Sequence, residues 1–285
     1  MSRPAGSSPA GTAERTLGTD DGARLATTIL GPPPGPGGST VVLSHGWAAD
    51  RRLWGAVAKR LLAGGHTVVL YDQRGHGAST LGRDPVSITR LGADLATVLA
   101  HVDARDAVVA GHSGGGFAVM AYATADPHGA ATRLRGLVLL ATAAHDQDTS
   151  VGEVRIMGSG LFSWALSRPR LGRRLLRHTM GRHPAPAALE IHRQMFATTP
   201  AQVRADCFRS PRGMDLRPGL ASVPVPAVVL AGEADRVIAP ELGEAITEAL
   251  PHARFERLLC AGHMLPLEVP DRVAQVIAEL ATREQ

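Results

Sequence analysis

The run Ala107-Val108-Val109-Ala110-Gly111-His112-Ser113-Gly114-Gly115-Gly116-Phe117 sets a serine in a G-x-S-x-G frame, after a strand-like apolar stretch and before a helix-compatible one. Glycines two residues to either side let a chain reverse sharply without Cβ clashes, lifting the Ser113 hydroxyl above a sheet edge. The Gly114 N–H then opens a helix and can face a developing oxyanion. A Gly-rich turn that binds nothing is the bland alternative. A phosphate loop is a poorer one, because it needs G-x-x-x-x-G-K-[ST] and no lysine stands here.

A serine hydroxyl is a weak nucleophile at neutral pH unless a base takes its proton and a third group orients that base. Val228-Val229-Leu230-Ala231-Gly232-Glu233-Ala234-Asp235 reads as a strand running into a loop with a carboxylate, and Cys260-Ala261-Gly262-His263 precedes the last helical pattern. The chain order Ser113, Asp235, His263 suits a nucleophile, an acid and a base at the C-terminal ends of strands in an open α/β sheet. Asp235 could instead cap a helix beginning near Pro240, and Glu233 is a competing acid that strand alternation turns the other way. His263 is one of twelve histidines, singled out by its place after Gly262 in a strand-to-helix loop. There is no H-E-x-x-H, and His178, His183 and His192 lack metal-ligand spacing, so neither metal nor cofactor is expected.

These groups need a scaffold. Short β-branched runs at 40–43, 67–71, 107–110, 137–140 and 227–231 alternate with helical patterns. Ile88, Leu91, Leu95, Val98, Leu99 and Val102 share one helical face, as do Val273, Val276, Ile277 and Leu280 in the last helix. Strands apolar on both faces and alternating with helices predict an α/β fold: a mostly parallel central sheet with helices on both faces. Ahead of it, 15–17 and 24–29 flank Thr19-Asp20-Asp21-Gly22 and read as a β-hairpin. Residues 1–12 read as a disordered lead, and the Gly/Pro-rich stretch 31–38 as a surface loop. From 145 to 220 the strands stop and amphipathic stretches rich in Arg and Met take over. That predicts a helical cap, 145–220, inserted in a core made of 13–144 and 221–285.

The composition sets limits. With 285 residues, 44% of them hydrophobic, one large core can be buried; aromatics are only 4%, so Ala, Val and Leu must fill it. The net charge of +4 comes almost wholly from arginine, with Lys59 the one lysine, and the cations are scattered among 26 acidic residues. With no nucleic-acid motif beside them, no nucleic-acid partner is expected. Two cysteines, Cys207 and Cys260, make no disulfide framework. No apolar run reaches the roughly 20 residues of a membrane span. The small, polar N-terminal stretch has no signal-peptide pattern, so a cytoplasmic location is expected.

Further segments carry a resemblance to a known family that spans nearly all of the chain after Ala13. Leu43-Ser44-His45-Gly46-Trp47 resembles the His-Gly segment after the third strand of the α/β-hydrolase superfamily. Tyr71-Asp72-Gln73-Arg74-Gly75-His76-Gly77-Ala78-Ser79 resembles its D-x-R-G-x-G-x-S loop, and Gly232-Glu233-Ala234-Asp235 and Gly262-His263 its acid and base segments. The resemblance implies the α/β-hydrolase fold and a second oxyanion N–H from Trp47. For the Asp72–Ser79 loop it implies a structural role, with Asp72 and Arg74 pairing or bonding local backbone. Relatives with Asp at the elbow, the haloalkane dehalogenases and epoxide hydrolases, are set aside by Ser113.

The implied chemistry is acyl transfer: hydrolysis of an ester, lactone or thioester through an acyl-enzyme, on a hydrophobic small molecule. An acyltransferase or a perhydrolase of the haloperoxidase-like branch would use the same three residues. A non-catalytic receptor on this scaffold is a third possibility that the intact Ser, Asp and His argue against. Trp47, Phe162, Trp164 and His112 are candidate substrate contacts, although packing beside the turn suits His112 and packing of the insertion suits its apolar residues. Arg168, Arg170, Arg173, Arg174 and Arg177 form a basic cluster read as a solvated helix face in preference to a site for an anionic substrate or a membrane surface. Oligomeric state is not legible.

Overall fold

The computed structural model describes residues 11–31, 33 and 39–282. Apart from Gly11 and Thr12, the expected disordered lead lies outside the described residues, as does most of the 31–38 loop.

Eight strands form one sheet: β1 (Thr12–Gly18), β2 (Arg24–Leu30), β3 (Thr40–Ser44), β4 (Thr67–Tyr71), β5 (Ala107–His112), β6 (Leu134–Leu140), β7 (Ala227–Gly232) and β8 (Ala253–Leu258). Their spatial order is β1-β2-β4-β3-β5-β6-β7-β8. The leading hairpin is antiparallel, with Thr12 opposite Leu30 and Gly18 opposite Arg24, and β2 joins β4 antiparallel; every other pairing is parallel. The hairpin turn closes on Gly22 at φ +89°, a conformation that costs glycine nothing.

Alternation decides which residues meet which layer. Val42, Val69, Val109, Leu137 and Val229 face one side of the sheet. There they pack on α2 (Ile88–His101), through Leu95, Val98 and Leu99, and on α3 (Gly114–Ala125), through Phe117, Val119 and Met120. Val41, Leu43, Val68, Val108, Val138 and Leu230 face the other side, which the N-terminal helix α1 (Gly55–Ala63) and the C-terminal helix Pro270–Thr282 cover with Val57, Leu61, Val273, Ile277 and Leu280. Each such side chain taken fully from water contributes about 1.5–3 kcal/mol. Strand β8 escapes the sequence pattern. It is an edge strand, and Arg254, Glu256 and Arg257 leave it no continuous apolar run.

After the short helix α4 (Pro127–Arg133) and strand β6 comes the insertion. It contains α5 (Val151–Met157), α6 (Gly160–Ser167), α7 (Pro169–Leu176), α8 (Pro186–Thr198), α9 (Ala201–Arg209) and the single turn α10 (Arg217–Leu220). Its two ends are stitched together: Asp146 N–H donates to Met214 O (2.8 Å) and Leu216 N–H to Ala144 O (2.8 Å). Inside it, the buried Arg204 donates to the carbonyls of Met157 (3.0 Å) and Phe196 (3.1 Å) and to Ser163 Oγ (2.6 Å), binding three helices to α9. The chain then returns to the sheet through β7, α11 (Pro240–Ala249), β8, the short α12 (Leu265–Glu268) and α13, the Pro270–Thr282 helix. Among the described residues no helix is long and apolar enough to cross a membrane.

Candidate active site

Ser113 sits between β5 and α3 at φ +51°, ψ −120°. For a residue with a Cβ this backbone costs on the order of 1–3 kcal/mol, and it persists only where the surroundings over-determine it. Here Ser113 N–H donates to Leu140 O on β6 (2.9 Å), and Ser113 O accepts from Thr142 Oγ1 (2.9 Å) and from Gly116 N–H (2.8 Å). The flanking glycines are sterically obligatory. A Cβ on Gly111 would lie 2.5 Å from Gly115 O, and one on Gly115 would lie 2.3 Å from Ser44 O. The helix start is thereby pressed against the end of β3.

Beyond β3 runs the segment that carries Trp47. Its indole packs on Phe117 and Phe208, with ring centroids 5.3 and 5.5 Å away, and fills the space a side chain at position 114 would need: a Cβ on Gly114 would meet Trp47 Nε1 at 2.2 Å. Gly114 is the first residue of α3, where a helix leaves its N–H groups unpaired. Within the described residues neither the Trp47 N–H nor the Gly114 N–H has a backbone acceptor.

The Asp72–Ser79 loop holds this segment in place. Gln73 N–H donates to His45 Nε2 (2.9 Å), and Ala48 N–H donates to His76 Nε2 (3.1 Å). His76 is buried and held neutral, its pKa pushed down to about 3 by desolvation, which keeps Nε2 an acceptor. Asp72 bonds backbone as expected, accepting from Arg51 N–H and Ala78 N–H (2.9 Å each). Arg74 departs from the expectation. It reaches away from its own loop into a buried pair of carboxylates, Asp21 in the hairpin turn (2.8 Å) and Asp94 on α2 (2.6 Å). Its guanidinium holds the Asp21 carboxyl far below the usual range, whereas burial raises that of Asp94.

Asp235 follows β7. Its Oδ2 is 2.9 Å from His263 Nδ1, while its Oδ1 accepts from the N–H groups of Val237 (2.8 Å) and Ile238 (3.0 Å). The competing acid, Glu233, turns elsewhere and accepts from Cys260 N–H (3.3 Å). His112 ties the His263 loop to the elbow: its Nε2–H donates to His263 O (2.8 Å), and the two rings lie 5.0 Å apart. His112 is 2% exposed and its ring is kept neutral by burial, so it touches the His263 loop rather than open space. Among the described residues the Ser113 hydroxyl has no hydrogen-bond partner.

Two further supports of His263 carry no local sequence signal. The Glu268 carboxylate accepts from Gly262 N–H (3.1 Å), Met264 N–H (2.9 Å) and Gly181 N–H (2.6 Å), joining both sides of His263 to the insertion. Thr179 O in the insertion accepts from His263 N–H (2.9 Å), and a Cβ on Gly262 would lie 2.3 Å from Gly181 N. The insertion also reaches the Trp47 segment, where Ala48 packs with Leu166, Leu176 and Phe196. Phe162 is half-buried against Phe196, with centroids 6.2 Å apart, and under the Arg204 guanidinium at 5.7 Å. Trp164 is 51% exposed, with Arg168 over its ring. Among the described residues no group of His, Cys, Asp and Glu could hold a metal ion. Cys207 and Cys260 are free thiols.

The model of the alpha/beta hydrolase family matches residues 41–276. A putative carbamate hydrolase, RutD, of Azorhizobium caulinodans is 29% identical over 82% of this chain and 88% of its own. 3-Oxoadipate enol-lactonase 2 of Acinetobacter baylyi is 27% identical over 76% and 79%. The solved structure of a thermophilic esterase from Thermogutta terrifontis superposes with a TM-score of 0.76 at 26% identity, covering 95% of this chain and 97% of the other.

Proposed function

The chain belongs to the alpha/beta hydrolase family, and from that premise we propose that it is a serine hydrolase cleaving a carboxylic ester-type bond through an acyl-enzyme on Ser113. The observation that carries this reading is the 2.9 Å bond between Asp235 Oδ2 and His263 Nδ1, made by a histidine whose loop is tied through His112 to the strained Ser113 turn. With Nδ1–H committed to the carboxylate, His263 Nε2 keeps a free lone pair and is the base.

Nε2 takes the Ser113 proton as Oγ attacks the acyl carbon. The oxyanion is received by the N–H groups of Trp47 and Gly114, each worth roughly 2.7–4 kcal/mol in the transition state. Collapse of the tetrahedral intermediate breaks the acyl–oxygen bond, and His263 gives its proton to the leaving alcohol oxygen. Water then attacks the acyl-enzyme, losing a proton to His263, and Ser113 departs protonated. The substrate class is a small, apolar ester or lactone, and the relatives named as a carbamate hydrolase and an enol-lactonase support a hydrolytic reaction at an acyl carbon. The insertion 145–220 acts as the cap, a reading supported by its contacts with both the His263 loop and Ala48. Trp47 of the core and Phe162 of the insertion face the substrate, and the enzyme works in the cytoplasm.

Ser113→Ala abolishes turnover of p-nitrophenyl acetate and labelling by a fluorophosphonate probe, with an unchanged thermal midpoint. Retained turnover or labelling in that variant overturns the assignment.

A further inference from the structure

The basic cluster has company that a solvated face does not need. Between Val154 and Leu189 the chain carries seven arginines and not one Asp or Glu, so the net positive charge of the protein resides there and the remainder is net acidic. Arg173 is drawn into a pair with Glu190 of α8. Arg155, Arg168, Arg170 and Arg174 are exposed and, among the described residues, have no carboxylate partner. Set among them are large apolar side chains turned to solvent: Ile156 (54% exposed), Leu161 (76%) and Trp164 (51%). Leu161 and Trp164 stand three residues apart on the outer face of α6, and Arg168, the extended residue that follows the helix, sets its guanidinium 5.5 Å over the Trp164 ring. Ile156 stands just across the 158–160 turn. The inner face of α6 is spent on Ala165 and Leu166, which are buried.

We propose that this outer face of the α5–α7 segment docks on an anionic lipid surface, its arginines on headgroup phosphates and its Ile156, Leu161 and Trp164 side chains in the interfacial layer. Charge and chemistry select this occupant. Arginines on the neighbouring helices beside exposed Trp and Leu on α6 give the composition of an interfacial segment. A second copy docked through the same face about a two-fold axis would bring two acid-free arginine surfaces together and be repelled. A nucleic acid would satisfy the arginines but leave the apolar side chains without a partner.

The test uses the whole enzyme with vesicles of phosphatidylcholine alone and of equimolar phosphatidylcholine and phosphatidylglycerol. The wild type co-sediments with the second only, and salt weakens the association because the headgroup attraction is screened. Trp54 is fully buried and Trp47 is packed between two phenylalanines, so a blue shift of tryptophan emission on binding reports Trp164. Each surface arginine contributes about fivefold to affinity, so the doubly substituted Arg170→Glu/Arg174→Glu protein binds on the order of twenty-five-fold or more weakly. Leu161→Ser removes affinity that survives at high salt. The double arginine variant keeps the wild-type rate on a soluble short-chain ester, and Ser113→Ala binds vesicles as the wild type does, so docking and catalysis fail separately. Equal binding to both vesicles, undiminished binding by the arginine variant, or a dimer in light scattering that Leu161→Ser dissolves overturns the proposal.

Discussion

Asp235 divides two duties between its two oxygens, and substitution can separate them. Oδ2 holds His263 Nδ1, and Oδ1 takes the N–H groups of Val237 and Ile238. In Asp235→Asn the amide oxygen stays with the two backbone donors, so the amide nitrogen faces His263. Nδ1 must then accept, the ring proton moves to Nε2, and the base loses the lone pair it needs. The expected fall in kcat is about ten-thousandfold at neutral pH, the size of the effect of wrong-tautomer histidine in a Ser-His-Asp triad. Stability changes little, because both backbone bonds survive. Asp235→Ala loses them as well. Ile238 is buried, so its orphaned N–H costs about 1–3 kcal/mol, while half-exposed Val237 can turn to water at less cost. Steady-state hydrolysis of p-nitrophenyl acetate reads the first duty, and urea unfolding followed by far-UV circular dichroism reads the second. If Asn keeps more than a tenth of kcat, or if Asn and Ala are equally destabilised, the division between the oxygens is wrong.

Gly114→Ala puts a methyl group 2.2 Å from the Trp47 indole nitrogen, so the ring must move and with it the segment proposed to hold the oxyanion. A fall in kcat of at least tenfold and a changed tryptophan emission are expected, and an unaltered enzyme would refute the contact. Glu268→Gln keeps an acceptor oxygen but cannot serve all three N–H groups of Gly181, Gly262 and Met264 with charge, so kcat falls while KM holds; a change confined to KM would argue against positioning. His76 and His192 are buried and neutral, each with a pKa lowered from 6.5 to about 3 by desolvation. The unfolded chain therefore binds more protons than the folded one between these values, so stability is full above pH 6.5 and is lost as pH falls from there toward 3. Calorimetry in two buffers at pH 5.5 should show an uptake of about two protons or more on unfolding, and no uptake would refute the buried neutral state.

The legible part of this molecule is the part whose chemistry is local. Ser113 announces itself because a strained turn needs its own glycines beside it, and the strands β3 to β7 because sheets covered on both faces need unbroken apolar runs. Asp235 was ambiguous in sequence for a good reason: the capping role and the orienting role are both real and sit on different oxygens of one side chain. Strand β8 was hidden because an edge strand can be charged, and the Arg74 pairing because its partners lie 53 and 20 residues away in the chain.

The deepest gap concerns what holds the base, and its physics is general. A nucleophile is fixed by the turn it sits on, but a catalytic histidine on a loop is only as well placed as the groups that grip that loop. Here those groups are the His112 ring, the Glu268 carboxylate and Thr179 O, and the last belongs to the insertion. His112 stands in the elbow motif, but neither Glu268 nor Thr179 stands at a spacing that a motif could record, since each acts on backbone and any residue with the same acceptor in that place would serve. The consequence is that the insertion is coupled to the chemistry before any substrate arrives. Movement of the 179–181 segment withdraws one acceptor from His263 N–H and one donor from Glu268 together. Under the proposed function, an insertion that grips the His263 loop in this way bears on the readiness of the base as well as on access to it.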